Sequence, residues 1–189
     1  MLTSTYSLVA ITAEQERSRG MLARLRQHFQ NAWKGVVQAD FGILENACQR
    51  LMQFDNFFRC RKIDTYLVPV MRMMGREAQS IVSELESLAA RAAGMLDRIR
   101  QQLRSADTRA APDAMRDLVS GYCDTVSLRL DREEHELLPL SRRLLSVEDW
   151  FSIAARMLAD DGGRRGRAPR AIILPRGVSP AAQRALGTR

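Results

Sequence analysis

Apolar residues recur every three or four positions through most of the chain, and no stretch alternates with the two-residue period of a strand, so the sequence reads as helical. The first stripe, Leu8, Ile11, Gln15, Ser18, Leu22, Leu25 and Phe29, defines helix A. Asp40 is a suitable N-cap for helix B, which carries Leu44, Cys48, Leu51 and Phe58 on one side. Gly75 separates it from helix C, striped by Ile81, Leu85, Leu88, Ala92, Leu96, Ile99 and Leu103. Ala111-Pro112 is a helix-opening pair. Helix D follows with Met115, Val119, Tyr122, Val126, Arg129, Glu133, Leu137, Leu140 and Leu144. Ser146-Val-Glu-Asp149 has capping-box spacing and opens a short fifth helix, expected to bury Trp150, Phe151, Ile153 and Leu158. Four long amphipathic helices on short connections predict an all-α fold over residues 1–159: an up-down-up-down four-helix bundle plus that fifth helix.

The halves of this pattern repeat. Gly20-Met-Leu-Ala-Arg-Leu-Arg-Gln27 matches Gly94-Met-Leu-Asp-Arg-Ile-Arg-Gln101 at six of eight positions. Leu67-Val-Pro-Val70 in helix B mirrors Leu137-Leu-Pro-Leu140 in helix D. Two matches in the same order, 74 and 70 residues apart, point to duplication of A-B as C-D.

The stripes stop at Asp160-Asp161-Gly162-Gly163, which reads as a helix stop. Residues 160–189 are expected to form a disordered, Arg-rich tail. This tail changes how the net charge of +7 is understood, because residues 162–189 hold seven arginines and no acid. The preceding part has 22 bases against 22 acids, so it is formally neutral. A basic tail supports at most weak, non-specific contact with nucleic acid. No apolar run is long enough to span a membrane, and Met1 to Ile11 lacks the basic lead and apolar stretch of a signal peptide, so a cytoplasmic location is expected. Cys48, Cys60 and Cys123 form no CxxC pair and are expected to be buried free thiols. Met71-Arg-Met-Met74 reads as core filler rather than a haem or copper site.

Candidate chemistry lies where the stripes turn polar. Arg129 and Glu133 take successive core positions in helix D, four residues apart on one face, and Gln15 interrupts helix A. A charge at a core position is costly unless paired, so these groups should meet one another or a ligand.

Arg129-Leu-Asp-Arg-Glu-Glu-His-Glu-Leu-Leu-Pro139 resembles the HxxxEExxLFP segment of hemerythrin-like (HHE cation-binding) domains. Leu145 to Met157 is similar to the last helical segment of that family, and the resemblance extends over roughly residues 8 to 158. It implies the four-helix bundle and a pair of irons held by histidines and two carboxylates, where dioxygen or a related small molecule binds.

Carried across position by position, the ligand set is degenerate. Glu133 matches the helix D carboxylate, but its histidine partner is Arg129. The helix A histidine becomes Gln15 and the helix C one Ala89. Counting from Pro69, helix B offers Arg59 and Ile63; a one-residue shift offers Cys60 and Asp64 instead. The internal repeat favours the Pro69 register. The chain holds only His28 and His135, both expected on the solvent side, so a histidine-rich diiron centre is excluded by count.

The expected site is therefore a vestigial pocket of Gln15, Arg59, Ile63, Ala89, Arg129 and Glu133. In it, Arg129 together with Arg59 supplies the positive charge a metal once gave. A residual cation site would draw on Glu133, Glu134, Asp64, Cys60 and Gln15, with iron as the alternative cofactor; otherwise none is expected. No Ser-His-Asp set, phosphate loop or HExxH is present, and the sequence reads as a non-catalytic module for sensing, regulation or protein contact, with a protein partner or a homodimer as open alternatives.

Overall fold

A computed structural model describes residues 2–37, 41–104 and 112–166, with side chains placed over residues 5–34, 42–104 and 113–162. All elements among them are helical: α1 (Leu2–Val37), α2 (Phe41–Arg59), α3 (Val68–Met71), α4 (Arg76–Arg104), α5 (Pro112–Arg132), α6 (Leu138–Leu144) and α7 (Val147–Gly166). Helix α1 packs against α2, α5 and α7, while α4 packs against α5 and α3. No described helix is long and apolar enough to cross a membrane.

Two turns of π-helix interrupt the rods, Ile63–Leu67 before α3 and Glu133–Leu137 before α6. Each ends two residues before a proline, Pro69 or Pro139. Proline cannot donate to the carbonyl four residues back, and its ring crowds that oxygen. The wider turn relieves the clash, and the Val68 and Leu138 amides donate to the Ile63 and Glu133 carbonyls five residues away. The two turns lie 70 residues apart, the same separation as the two prolines that follow them.

Other boundaries have local causes. Gly75 takes φ of 90°, a left-handed conformation that ends the α3 segment, and its carbonyl accepts from the Gln79 amide at 3.0 Å as α4 begins. Ser146 and Asp149 form the expected reciprocal cap: Asp149 N donates to Ser146 Oγ at 3.1 Å, and Ser146 N to Asp149 Oδ2 at 2.9 Å. Pro112 is the first residue of α5 as expected; Asp40 and Ala111 lie outside the described residues.

The apolar stripes of helices A to D are buried almost as read, but α7 differs. Trp150 and Ile153 are buried together with Ala154 and Met157, whereas Phe151 and Leu158 are exposed. One face of α7 meets α1 and the first π turn, and the other stays in solvent. The expected stop at Asp160–Gly163 is also corrected, since α7 continues to Gly166. Asp160 accepts a hydrogen bond from Tyr66 Oη at 2.5 Å, and Asp161 pairs with Lys62 Nζ at 3.0 Å, so both acids fasten α7. The rest of the tail lies outside the described residues. Cys48 and Cys123 are buried and their thiol pKa values rise, chiefly by burial, to about 12 and about 11; Cys60, expected inside, is exposed.

The core is divided. One apolar cluster gathers Leu22, Phe29, Leu51, Phe58, Leu96 and Leu130 among others; a second gathers Ile11, Ile63, Leu67, Leu85, Leu137 and Trp150. Between Ile11 and Leu22 on α1, between Phe58 and Ile63 across the end of α2, and between Leu130 and Leu137 across the end of α5, the buried residues are polar. A charged layer thus crosses the middle of the molecule.

Candidate functional site

The layer is built around Arg61, whose side chain is 1% exposed. Helix α2 ends at Arg59, and the Cys60 amide bonds back to the Phe57 carbonyl at 3.1 Å. This break releases the helical register and turns Arg61 inward. All five guanidinium N–H donors find acceptors. Nε donates to the Phe58 carbonyl at 3.0 Å, and Nη1 to Glu133 Oε2 at 2.8 Å and Gln15 Oε1 at 3.5 Å. Nη2 donates to Glu133 Oε1 at 2.6 Å and Asp64 Oδ2 at 3.1 Å. The guanidinium also lies over the Phe58 ring, 3.7 Å from its centroid.

Glu133, fully buried, is the common acceptor. Besides the bidentate Arg61 pair it accepts from Gln15 Nε2 at 2.6 Å. Arg129 Nε lies 3.0 Å from Glu133 Oε1, near enough for ionic attraction but poorly aligned for a hydrogen bond. Arg129 Nη2 donates instead to Asp64 Oδ1. Two guanidinium cations and two carboxylates therefore balance in formal charge, with Gln15 filling the remaining positions.

Burial opposes the charge on Arg61, but attraction and hydrogen bonds from Glu133, then Asp64, outweigh it and raise its pKa above the usual arginine value. Burial raises the Asp64 carboxyl above its ordinary range, against the pull of Arg129 and Arg61.

Of the expected pocket, Gln15, Arg129 and Glu133 converge. Arg59 is corrected: its side chain is half exposed and its Nε pairs with Asp55 Oδ2 at 2.7 Å, so Arg61 supplies the second cation. Asp55 Oδ1 accepts from the buried Tyr122 hydroxyl at 3.0 Å, completing a second polar group away from Glu133. Ile63 belongs to the apolar core, and Asp64, one residue on, reaches the layer in its place; the shifted pair holds only for Asp64, since Cys60 is exposed. Ala89 lines a cavity beside Arg129. Of the residual cation set, Glu134 is exposed and binds Arg19 at 2.6 Å, and Cys60 is exposed. His28 and His135 are exposed as expected.

These residues do not fit a metal. Both oxygens of Glu133 and of Asp64 already face guanidinium donors, and two fixed positive charges touch every carboxylate a cation would need. Among the described residues no group of three or more His, Cys, Asp or Glu side chains is placed to hold an ion.

Beside the layer, Glu14 Oε2 accepts from the Lys62 amide at 2.5 Å. Burial raises the Glu14 pKa above 4.5, although that hydrogen bond and the Arg61 and Lys62 charges pull it down. The folded chain thus holds this proton more tightly than the unfolded one. The stabilising contribution is complete below 4.5 and is lost as pH rises through the higher folded value. Relative to Glu14→Gln, the wild type is therefore expected to gain stability as pH is lowered from 7 toward 4.5, as read by urea denaturation across that range. A gap that moves the other way would contradict this assignment.

Compared with protein-family models, curated proteins and solved structures, the chain matches none.

Proposed function

We propose that the chain is a hemerythrin-like up-down-up-down bundle, with duplicated halves, in which an internal ion network replaces the metal centre, and that it serves as a cytoplasmic, non-catalytic module for sensing, regulation or protein contact. The observation that supports this best is the bidentate Arg61–Glu133 pair with all five arginine donors used. Glu133 stands at the helix D carboxylate position of that family and Asp64 at the helix B one in the shifted register, and both are neutralised from within. An arginine is charged at every relevant pH, so the balance needs no bound ion. The layer's carboxylates are engaged by arginine and both histidines are exposed, which favours recognition over reaction.

The alternative is a divergent cation-binding protein, in which Fe(II), Mn(II) or Zn(II) would displace Arg61 from Glu133 and Asp64. The two are separated by thermal melting with each metal and with EDTA. A ligand at a hundredfold over its Kd stabilises by about 2.7 kcal/mol. The ion-network reading expects superimposable melting curves. A metal-dependent rise in Tm that EDTA reverses and Glu133→Gln abolishes would overturn it.

A further inference from the structure

A cavity of about 90 Å³ opens beside the charged layer, lined by Phe58, Leu88, Ala89, Ala92 and Val126 on its apolar side. Asp55, Arg59, Thr125 and Arg129 supply its polar wall. Its room comes from helix α4, where two of the three lining residues, Ala89 and Ala92 beside Leu88, are small. It is large enough for a molecule of a few heavy atoms.

Two donors on this wall are under-used. Arg129 is nine-tenths buried; Nη2 serves Asp64 and Nε faces Glu133 at a poor angle, which leaves Nη1, the part of the guanidinium that solvent reaches, without an acceptor among the described residues. Thr125, one helical turn earlier on the same face of α5, is 6% exposed, and its hydroxyl reaches only the Met95 sulfur at 4.0 Å. Asp55 does not compete for them: Tyr122 and Arg59 occupy its two oxygens. Neither donor is committed to a strong acceptor among the described residues, so an oxygen-bearing ligand in the cavity would take a hydrogen bond from each. The flat guanidinium suits a small planar oxyanion.

We propose that this cavity binds a small oxyanion of formate or nitrite size, held by the Arg129 guanidinium and the Thr125 hydroxyl. Ala89 and Ala92 set the size limit. The site gives the sensing reading a ligand class and rests on that reading only for the metal-free state of the neighbouring layer.

The test is isothermal titration of the full chain with sodium formate and sodium nitrite in a constant chloride background, with metal content assayed on the same sample. Saturable binding is expected for wild type, roughly tenfold weaker in Thr125→Val, which keeps the shape and removes the donor. Thr125→Ser restores it, and Ala89→Leu, checked for retained helicity and cooperative melting, abolishes it by filling the space. Absence of saturable binding in metal-free wild type, or equal affinity in Thr125→Val and Ala89→Leu, would overturn the proposal. A sample that carries stoichiometric metal instead defeats the ion-network reading, and retention of the anion after its removal then decides the cavity separately.

Discussion

Glu133→Leu is expected to lower stability by about 3–5 kcal/mol, because it strands charged groups in the core. Glu133 is fully buried and accepts from Arg61 twice and from Gln15 once, while the Arg129 cation lies 3.0 Å away. Its loss leaves Arg61, 1% exposed, with Asp64 as its one remaining ion-pair partner among the described residues. Burying the Leu side chain recovers only part of that cost. For a chain of this size Tm should fall on the order of 10 °C. Urea denaturation with Tm read by circular dichroism gives both numbers, and a Tm within about 2 °C of wild type would show the layer to be energetically idle.

The second large effect is a recovery. In Arg61→Met combined with Glu133→Leu, a buried cation and a buried anion leave together, and the Arg129–Asp64 pair stays balanced. Apolar side chains of similar volume avoid the desolvation that the ions suffer. The double variant should therefore be about 2–4 kcal/mol more stable than the sum of the two single losses predicts, a coupling expected of partners in direct contact. The three variants measured against wild type form a complete double-mutant cycle. Additive losses would mean that Arg61 and Glu133 do not act as a pair.

Much of this arrangement was legible in the spacing of residues. Gln15, Arg129 and Glu133 stand on apolar stripes, where a polar group has to be buried and paired, and all three meet in the central layer. Arg61 was not legible. It follows the end of α2, where the Cys60 turn and the π turn break the helical count, so stepping back from Pro69 in helical register reached Arg59 and Ile63 instead. The signal present was the Arg61–Asp64 spacing of three, a pair able to share one side of a turn. The apolar pattern overstated α7 in a similar way. Phe151 and Leu158 are exposed, because among the described residues the helix packs mainly on α1 and the first π turn, through its Trp150, Ile153 and Met157 face. Asp160 and Asp161 looked like a helix stop, yet Tyr66 and Lys62, distant in sequence, hold them. Such partners come from tertiary packing, which local pattern does not carry.

In the proposed function, arginine and not a metal neutralises the buried carboxylates Glu133 and Asp64. Elemental analysis of the full chain, purified without chelators and with known protein concentration, tests it directly. Iron, manganese and zinc are expected far below one equivalent in wild type, unchanged in Glu133→Gln. Near-stoichiometric metal in wild type that is lost in Glu133→Gln would contradict it.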